Sequence, residues 1–363
     1  MAKFNAEIKS KDVIKPFSET ANHLKTLQFT FIDQLAPPVL MPLIFYYKTP
    51  IISHYNNSET TTLLLKNSLS KTLVQFYPLA GRVVGNSSID CNDEGVEFYE
   101  ADVLASLAEV IANPDPEELI RLLPYAPKAP ISNNISVASA VQLNHFSCGS
   151  MAISVCISHK IADATTFVAF LNAWACNTRD DGYKSDNDQK LVSFDSASFL
   201  PSIDLNEIYD HESPICKEKI VSRRLVFSKD KLDELKGLES RPVSRVTVVS
   251  AFLWNKFIKF AKVKPTPPKI MSSATQAVNL RTIKSSPIPE NCYGNLFWTK
   301  FVHTPIESDY TEAVRKLRES SKHINTSLLQ EIETGECLLS LQETYKNFTE
   351  GELGKDIFVG LRA

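Results

Sequence analysis

The stretch Ser147–Trp174 (SCGSMAISVCISHKIADATTFVAFLNAW) leaves the chain little freedom. Ile153, Val155 and Ile157 alternate with Ser154, Cys156 and Ser158, the two-residue period of a strand with unlike faces. The run stops at His159. Asp163 follows four residues later, and then Phe167, Phe170, Leu171 and Trp174 recur with the i, i+3, i+4, i+7 spacing of an amphipathic helix. A strand, a tight turn and a helix are therefore expected, with His159 at the strand end, held by rigid elements where a general base is useful. Asp163 stands at the helix start, where its carboxylate can accept first-turn amides.

A chain of 363 residues exceeds what one hydrophobic core usually serves. Its composition changes after Trp174. Asn177 to Lys190 is polar without apolar periodicity, and Ser193 to Lys219 is irregular, with Pro201 and Pro214. Three parts are expected: a first domain over 1–177, a crossover over 178–219, and a second domain over 220–363. Apolar residues make up 43% and charged residues 22%, values of a globular protein, and the net charge of −3 gives no reason to expect a nucleic-acid partner. No apolar run is long enough to span a bilayer, and the N-terminal segment lacks a signal-peptide core. Seven cysteines, an odd number without C-x-x-C pairs, read as reduced thiols in a cytoplasmic protein with no metal site.

In chain order, Leu27–Leu35 contains an alternating, strand-like run that ends at Asp33, and Leu40–Tyr47 is predicted as a buried strand. A helix carries Leu65, Leu69, Leu73 and Phe76, and Pro78 and Gly81 end it. Val83–Val84 and Gly95–Ala101 read as a hairpin turning at Asn92–Gly95. Beyond the crossover, a strand is expected at Arg223–Phe227 and short helix at Lys229–Lys236. A longer helix, Thr247–Ala261, should bury Val249, Phe252, Leu253 and Phe257. Strands at Lys269–Leu280 and Tyr293–His303 and a helix at Asp309–Glu333 follow. Thr349–Ala363 shows no core element. Gly81, Gly294 and Asn295 read as backbone-geometry residues, and Trp254 as core.

Several stretches together resemble the plant BAHD acyl-CoA-dependent acyltransferases. His159–Lys160–Ile161–Ala162–Asp163 is similar to their His-x-x-x-Asp motif, and Tyr77–Arg82 to their Tyr-Pro-Leu-Ala-Gly-Arg stretch. Asn279–Leu280–Arg281 resembles their Asn-Leu-Arg segment, Gly294–Asn295 the Gly-Asn step after it, and Asp33 falls in their early strand-to-Asp motif. The resemblance runs along the whole chain and is nearest to the alkaloid-acetylating branch. It implies an α/β fold of two similar chloramphenicol-acetyltransferase-like domains, each a mixed sheet flanked by helices. It implies acyl-CoA as co-substrate, acetyl-CoA foremost, no bound cofactor, a small-molecule alcohol as acceptor, and a monomer. By carry-over His159 is the catalytic base, while Asp163 and Arg281 pair to support its turn; this contradicts the helix cap, and the ion pair is taken as the main role of Asp163.

The family's Asp-Phe-Gly-Trp-Gly motif does not occur before Ala363, so an incomplete second domain with open strand edges is expected from the resemblance. The implied activity is O-acyl transfer to a hydroxyl of a plant specialised metabolite, an alkaloid foremost. Two other readings stay open: a non-catalytic paralogue or isoform, and an acyltransferase with an aromatic acyl-CoA donor. An alcohol becomes nucleophilic when an imidazole takes its proton, so no Ser or Cys nucleophile is needed.

Overall fold

A computed structural model describes residues 4–48, 58–126, 137–179, 191–203, 222–239, 241–261, 271–283, 286–322, 331 and 358–361. Much of the expected crossover lies outside them. The chain divides into two compact units, Met1–Arg224 with Asn291–Asn295, and Leu225–Glu290 with Leu296–Ala363.

The first unit runs β1 (Ala6–Ile14), β2 (Thr26–Gln28), α1 (Phe31–Leu35), β3 (Leu40–Tyr47), α2 (Ser58–Gln75), β4 (Arg82–Val84), β5 (Ser88–Asp90), β6 (Val96–Val103), α3 (Leu107–Ala112), α4 (Pro116–Leu119), β7 (Ser139–Phe146), β8 (Met151–Ser158), α5 (Ala164–Thr178) and α6 (Ser196–Phe199). Five strands form a mixed sheet in the order β1-β6-β7-β8-β3, in which β6 and β7 are parallel and the other pairs antiparallel. A smaller antiparallel sheet has the order β2-β5-β4.

One face of the large sheet offers Val141, Leu143, Ile153, Val155 and Ile157 to Leu65, Leu69, Leu73 and Phe76 of α2 and to Phe167, Phe170 and Trp174 of α5. Trp174 is satisfied where it is buried: its Nε1 donates to the Leu65 carbonyl at 3.2 Å and to Ser68 Oγ at 3.0 Å. Both faces of β8 are buried. Its alternation separates an apolar interior from a polar one, where the Asn144 amide donates to Ser154 Oγ at 3.3 Å and to the Leu122 carbonyl at 3.1 Å. Strand β3 forms the other edge of the sheet and is mostly half-buried, which is why it tolerates Pro42.

The second unit contains α7 (Lys229–Gly237), α8 (Arg245–Ala261), β9 (Met271–Asn279), β10 (Phe297–Pro305), α9 (Tyr310–Lys322) and β11 (Phe358–Leu361). Its sheet has the order β10-β9-β11, antiparallel then parallel. Its core joins Ala251, Trp254 and Ile258 of α8 to Ala274, Val302, Ala313, Val314 and Leu317.

Five readings of the sequence need correction. Leu27–Leu35 is not one strand: Thr30 and Asp33 form a capping box that starts α1 after β2. The hairpin partner of β4 is β5, and β6 pairs instead with β1 and β7, since the turn lies at 85–87 rather than at Asn92–Gly95. Residues 222–228 form no strand, because period-2 alternation supplies no partner edge. On α8 the buried apolar residues are Val248, Ala251, Trp254 and Ile258, about one residue around from the expected stripe. The bulky Phe257 is 47% exposed, whereas the small Ala251 meets Ala274 and Ala313 in the core. Thr349–Ala363 does carry an element, β11.

A charged network ties α2 to the large sheet. Lys66 Nζ donates to Glu100 at 2.6 Å and to Asp12 at 2.8 Å, and Ser10 and Thr62 hydroxyls also donate to Glu100. Burial alone would raise the pKa of Glu100, but Lys66 and the hydroxyls outweigh it and hold the carboxyl below its ordinary value. The unfolded chain then binds the proton more readily. The network's contribution is therefore fully present above about pH 4.3 and is lost as pH falls through the lower folded value. The melting temperature of Glu100→Gln should be lower than wild type at pH 7 and should fall less steeply below pH 4; parallel curves would contradict this role.

Candidate active site

β8 delivers His159 to a turn held by several hydrogen bonds. The His159 amide donates to the Val39 carbonyl at 2.9 Å, and Ile161 N donates back to the Ser158 carbonyl at 3.2 Å. Asp163 caps α5, its Oδ1 accepting from Thr166 N at 2.8 Å. Thr166 reaches outward in turn: its Oγ1 donates to the Gly294 carbonyl at 3.0 Å. That bond holds the 291–295 segment against the start of α5. Gly294 has φ +115, a backbone conformation that a side chain would strain, and it turns the chain so that Asn295 enters the site.

Asn295 is fully buried and is the hub. Its Nδ2 donates to Asp33 Oδ1 at 2.9 Å and to the His159 carbonyl at 2.7 Å, while its Oδ1 lies 3.1 Å from His159 Nδ1. Two acceptors around Nδ2 fix which way the amide faces. Its oxygen must then accept, so His159 Nδ1 carries the hydrogen. The neutral imidazole consequently has its basic lone pair on Nε2.

Asp33 anchors the hub. Its Oδ1 accepts from Asn295 N and Nδ2, each at 2.9 Å, and its Oδ2 from Thr30 N at 2.9 Å and Thr30 Oγ1 at 2.8 Å. Burial pushes the carboxyl's pKa up, against these four donors, which favour the anion. Lys160, the next residue after His159, is buried too. Its ammonium donates to the Asp33 and Gln34 carbonyls at 3.2 and 2.8 Å and to Asn86 Oδ1 at 2.6 Å.

Of the three site residues read from sequence, His159 and Asp163 share this turn. Arg281 lies in the second unit, buried in the short 3-10 turn Leu280–Thr282, where Asn279 Oδ1 accepts from its backbone amide at 3.1 Å. Asp163 does cap α5, the role that the sequence reading ranks below the ion pair with Arg281. Asn295 was read as a backbone-geometry residue, yet its side chain holds the histidine. The available signal was an amide inside the apolar run Tyr293–Trp298, since a buried polar side chain needs partners. Among the described residues no group of three or more His, Cys, Asp or Glu could hold a metal, and no helix is long and apolar enough to cross a membrane.

His159, with Nδ1 engaged by Asn295, thus stands at the end of a buried strand in a mixed α/β fold. The model of the Transferase family matches residues 4–355. Stemmadenine O-acetyltransferase of Catharanthus roseus is 35% identical over 350 residues, covering 93% of this chain and 80% of its own. Limonoid 21-O-acetyltransferase of Melia azedarach is 34% identical over 329 residues, covering 88% and 75%. The crystal structure of vinorine synthase superposes with a TM-score of 0.76 at 35% identity, over 87% of this chain and 76% of that one. The chain belongs to this family, the BAHD acyltransferases, whose co-substrates are CoA thioesters.

Asn295→Ala removes the Nδ2 donor that Asp33 and the His159 carbonyl share and the partner of His159 Nδ1, while the backbone donor to Asp33 stays. A buried acceptor left short of donors costs roughly 1–3 kcal/mol, so the denaturation midpoint should drop accordingly. An unchanged midpoint would mean that the hub does not hold the turn.

Proposed function

We propose that this protein transfers an acetyl group from acetyl-CoA to a hydroxyl of a plant specialised metabolite, an alkaloid alcohol foremost, with His159 as general base. The observation that carries this reading is the Asn295 contact with His159 Nδ1, which leaves Nε2 as the basic nitrogen. The names of the relatives, O-acetyltransferases of stemmadenine and of a limonoid, support acetyl as the group and a hydroxyl of a specialised metabolite as the acceptor.

In this mechanism the acceptor oxygen attacks the thioester carbonyl carbon as His159 Nε2 takes its proton. The tetrahedral oxyanion collapses, the C–S bond breaks, and the imidazolium returns the proton to the CoA thiolate. The products are an ester and free CoA, with no acyl-enzyme. The proposal includes a monomer in the cytoplasm; the free thiols of Cys91, Cys148, Cys156, Cys176 and Cys292 support a reducing compartment. It also includes an Asp163–Arg281 pair that steadies the turn alongside the cap.

Purified protein incubated with acetyl-CoA and a panel of alkaloid and limonoid alcohols should release CoA and yield the acetyl ester by mass spectrometry. Absence of ester across the panel, with acetyl-CoA bound, would overturn the reading. His159→Ala should lower turnover by at least about 10²-fold, the scale of a general base, with acyl-CoA binding retained. For the supporting pair, loss of one partner of a buried ion pair costs roughly 3–5 kcal/mol. Asp163→Ala and Arg281→Ala should thus be individually destabilising and strongly non-additive in a double-mutant cycle; additivity would separate them.

A further inference from the structure

Lys160 is an unusual residue to find buried. It is 8% exposed, and a lysine ammonium is expensive to remove from water unless acceptors replace the solvent. Three do so, from two other elements: the Asp33 and Gln34 carbonyls of α1, and Asn86 Oδ1 in the turn between β4 and β5. The backbone amide of Lys160 is engaged as well, donating to Ser158 Oγ at 3.3 Å. No step of the acyl-transfer chemistry uses this side chain.

Its placement points to a purpose. α1 carries Asp33, Asp33 orients the Asn295 amide, and Asn295 sets the proton on His159 Nδ1. α1 is only five residues long and cannot hold its own position by helix stability. Lys160 grips the carbonyls of its second half, where a cation also complements the helix dipole. The same ammonium supplies positive charge close to a buried carboxylate that must stay ionised to accept four donors.

We propose that Lys160 is a positioning residue for the acyl-transfer reaction: its charged ammonium locks α1 and the ionised Asp33, and through Asn295 maintains the His159 tautomer that leaves Nε2 basic. The inference rests on His159 being the base. Burial lowers the Lys160 pKa to about 8, with the charge of Asp33 pulling it back upward. Asp33 on α1 is the charged group facing it, Asn86 on the β4–β5 turn is neutral, and His159 is its chain neighbour. The ammonium is therefore essentially complete only about a pH unit below that value, is half lost at it and is lost above it, and the lock loosens on the alkaline side.

Three measurements test this. Lys160→Met fills the same space without charge; its kcat should fall at least about tenfold, a modest share of the 10²–10⁴ range of a general base, while KM for acetyl-CoA stays within about threefold. The ¹⁵N shifts of His159, assigned by difference against His159→Ala, should show Nδ1–H in the wild type at pH 7.5 and a mixture of tautomers in Lys160→Met. Asn86→Asp places a carboxylate on the ammonium at a half-buried turn, and should move the alkaline limb of the kcat profile up by about half a pH unit or more, as an adjacent opposite charge does. Wild-type kcat with an unchanged tautomer in Lys160→Met, or an unmoved alkaline limb in Asn86→Asp, would overturn the proposal. If Lys160→Met does not fold, the Asn86→Asp limb decides alone. If the wild type transfers no acyl group, the tautomer measurement decides, so a failure of the assigned function is told apart from a failure of this inference.

Discussion

The first unit's site depends on one buried amide. Asn295 has both kinds of hydrogen-bonding group, and the site gives each an assignment: Nδ2 faces two oxygens, so Oδ1 faces the ring nitrogen of His159. An imidazole alone exchanges its two neutral tautomers freely, and only one of them offers a base on a given side. Fixing the amide fixes the tautomer. The direction of the amide depends in turn on Asp33 remaining an acceptor, which four donors and a neighbouring ammonium favour in a place where burial opposes it.

The fold supplies this arrangement from parts remote in sequence. The capping box at Thr30–Asp33 starts α1 and aims the same carboxylate at Asn295, 262 residues away. Asp163 similarly starts α5 and places Thr166 to hold Gly294. Helix caps thus do positional work at both sides of His159. Behind them, α2 and α5 press on the apolar face of the mixed sheet, so the strand that carries His159 is buried on both faces and has little room to move.

Membership of the BAHD acyltransferases gives this geometry its chemical setting. The mechanism proposed above forms no covalent enzyme intermediate and asks for little beyond an oriented base and two bound substrates. That economy agrees with a site whose described groups serve mainly to hold one imidazole. The cysteine on β8 fits the same picture: Cys156 is buried, burial pushes its thiol up to about 12, and it is a packing residue rather than a nucleophile.

The sequence by itself determined the local order around His159. Alternation along Met151–Ser158 and the helical spacing of Phe167, Phe170 and Trp174 are properties of neighbouring residues, and a strand, turn and helix follow from them. The cap at Asp163 was legible for the same reason. Tertiary structure alone decided which face of α8 is buried, because close approach selected Ala251 over Phe257. It also decided that β6 pairs with β1 and β7 rather than with β4, since a strand's period does not name its partner. The roles of Asn295, Asp33 and Lys160 belong to that second kind. Each is an ordinary polar residue along the chain, and becomes part of the site only where folding removes water and leaves a few specific groups to replace it.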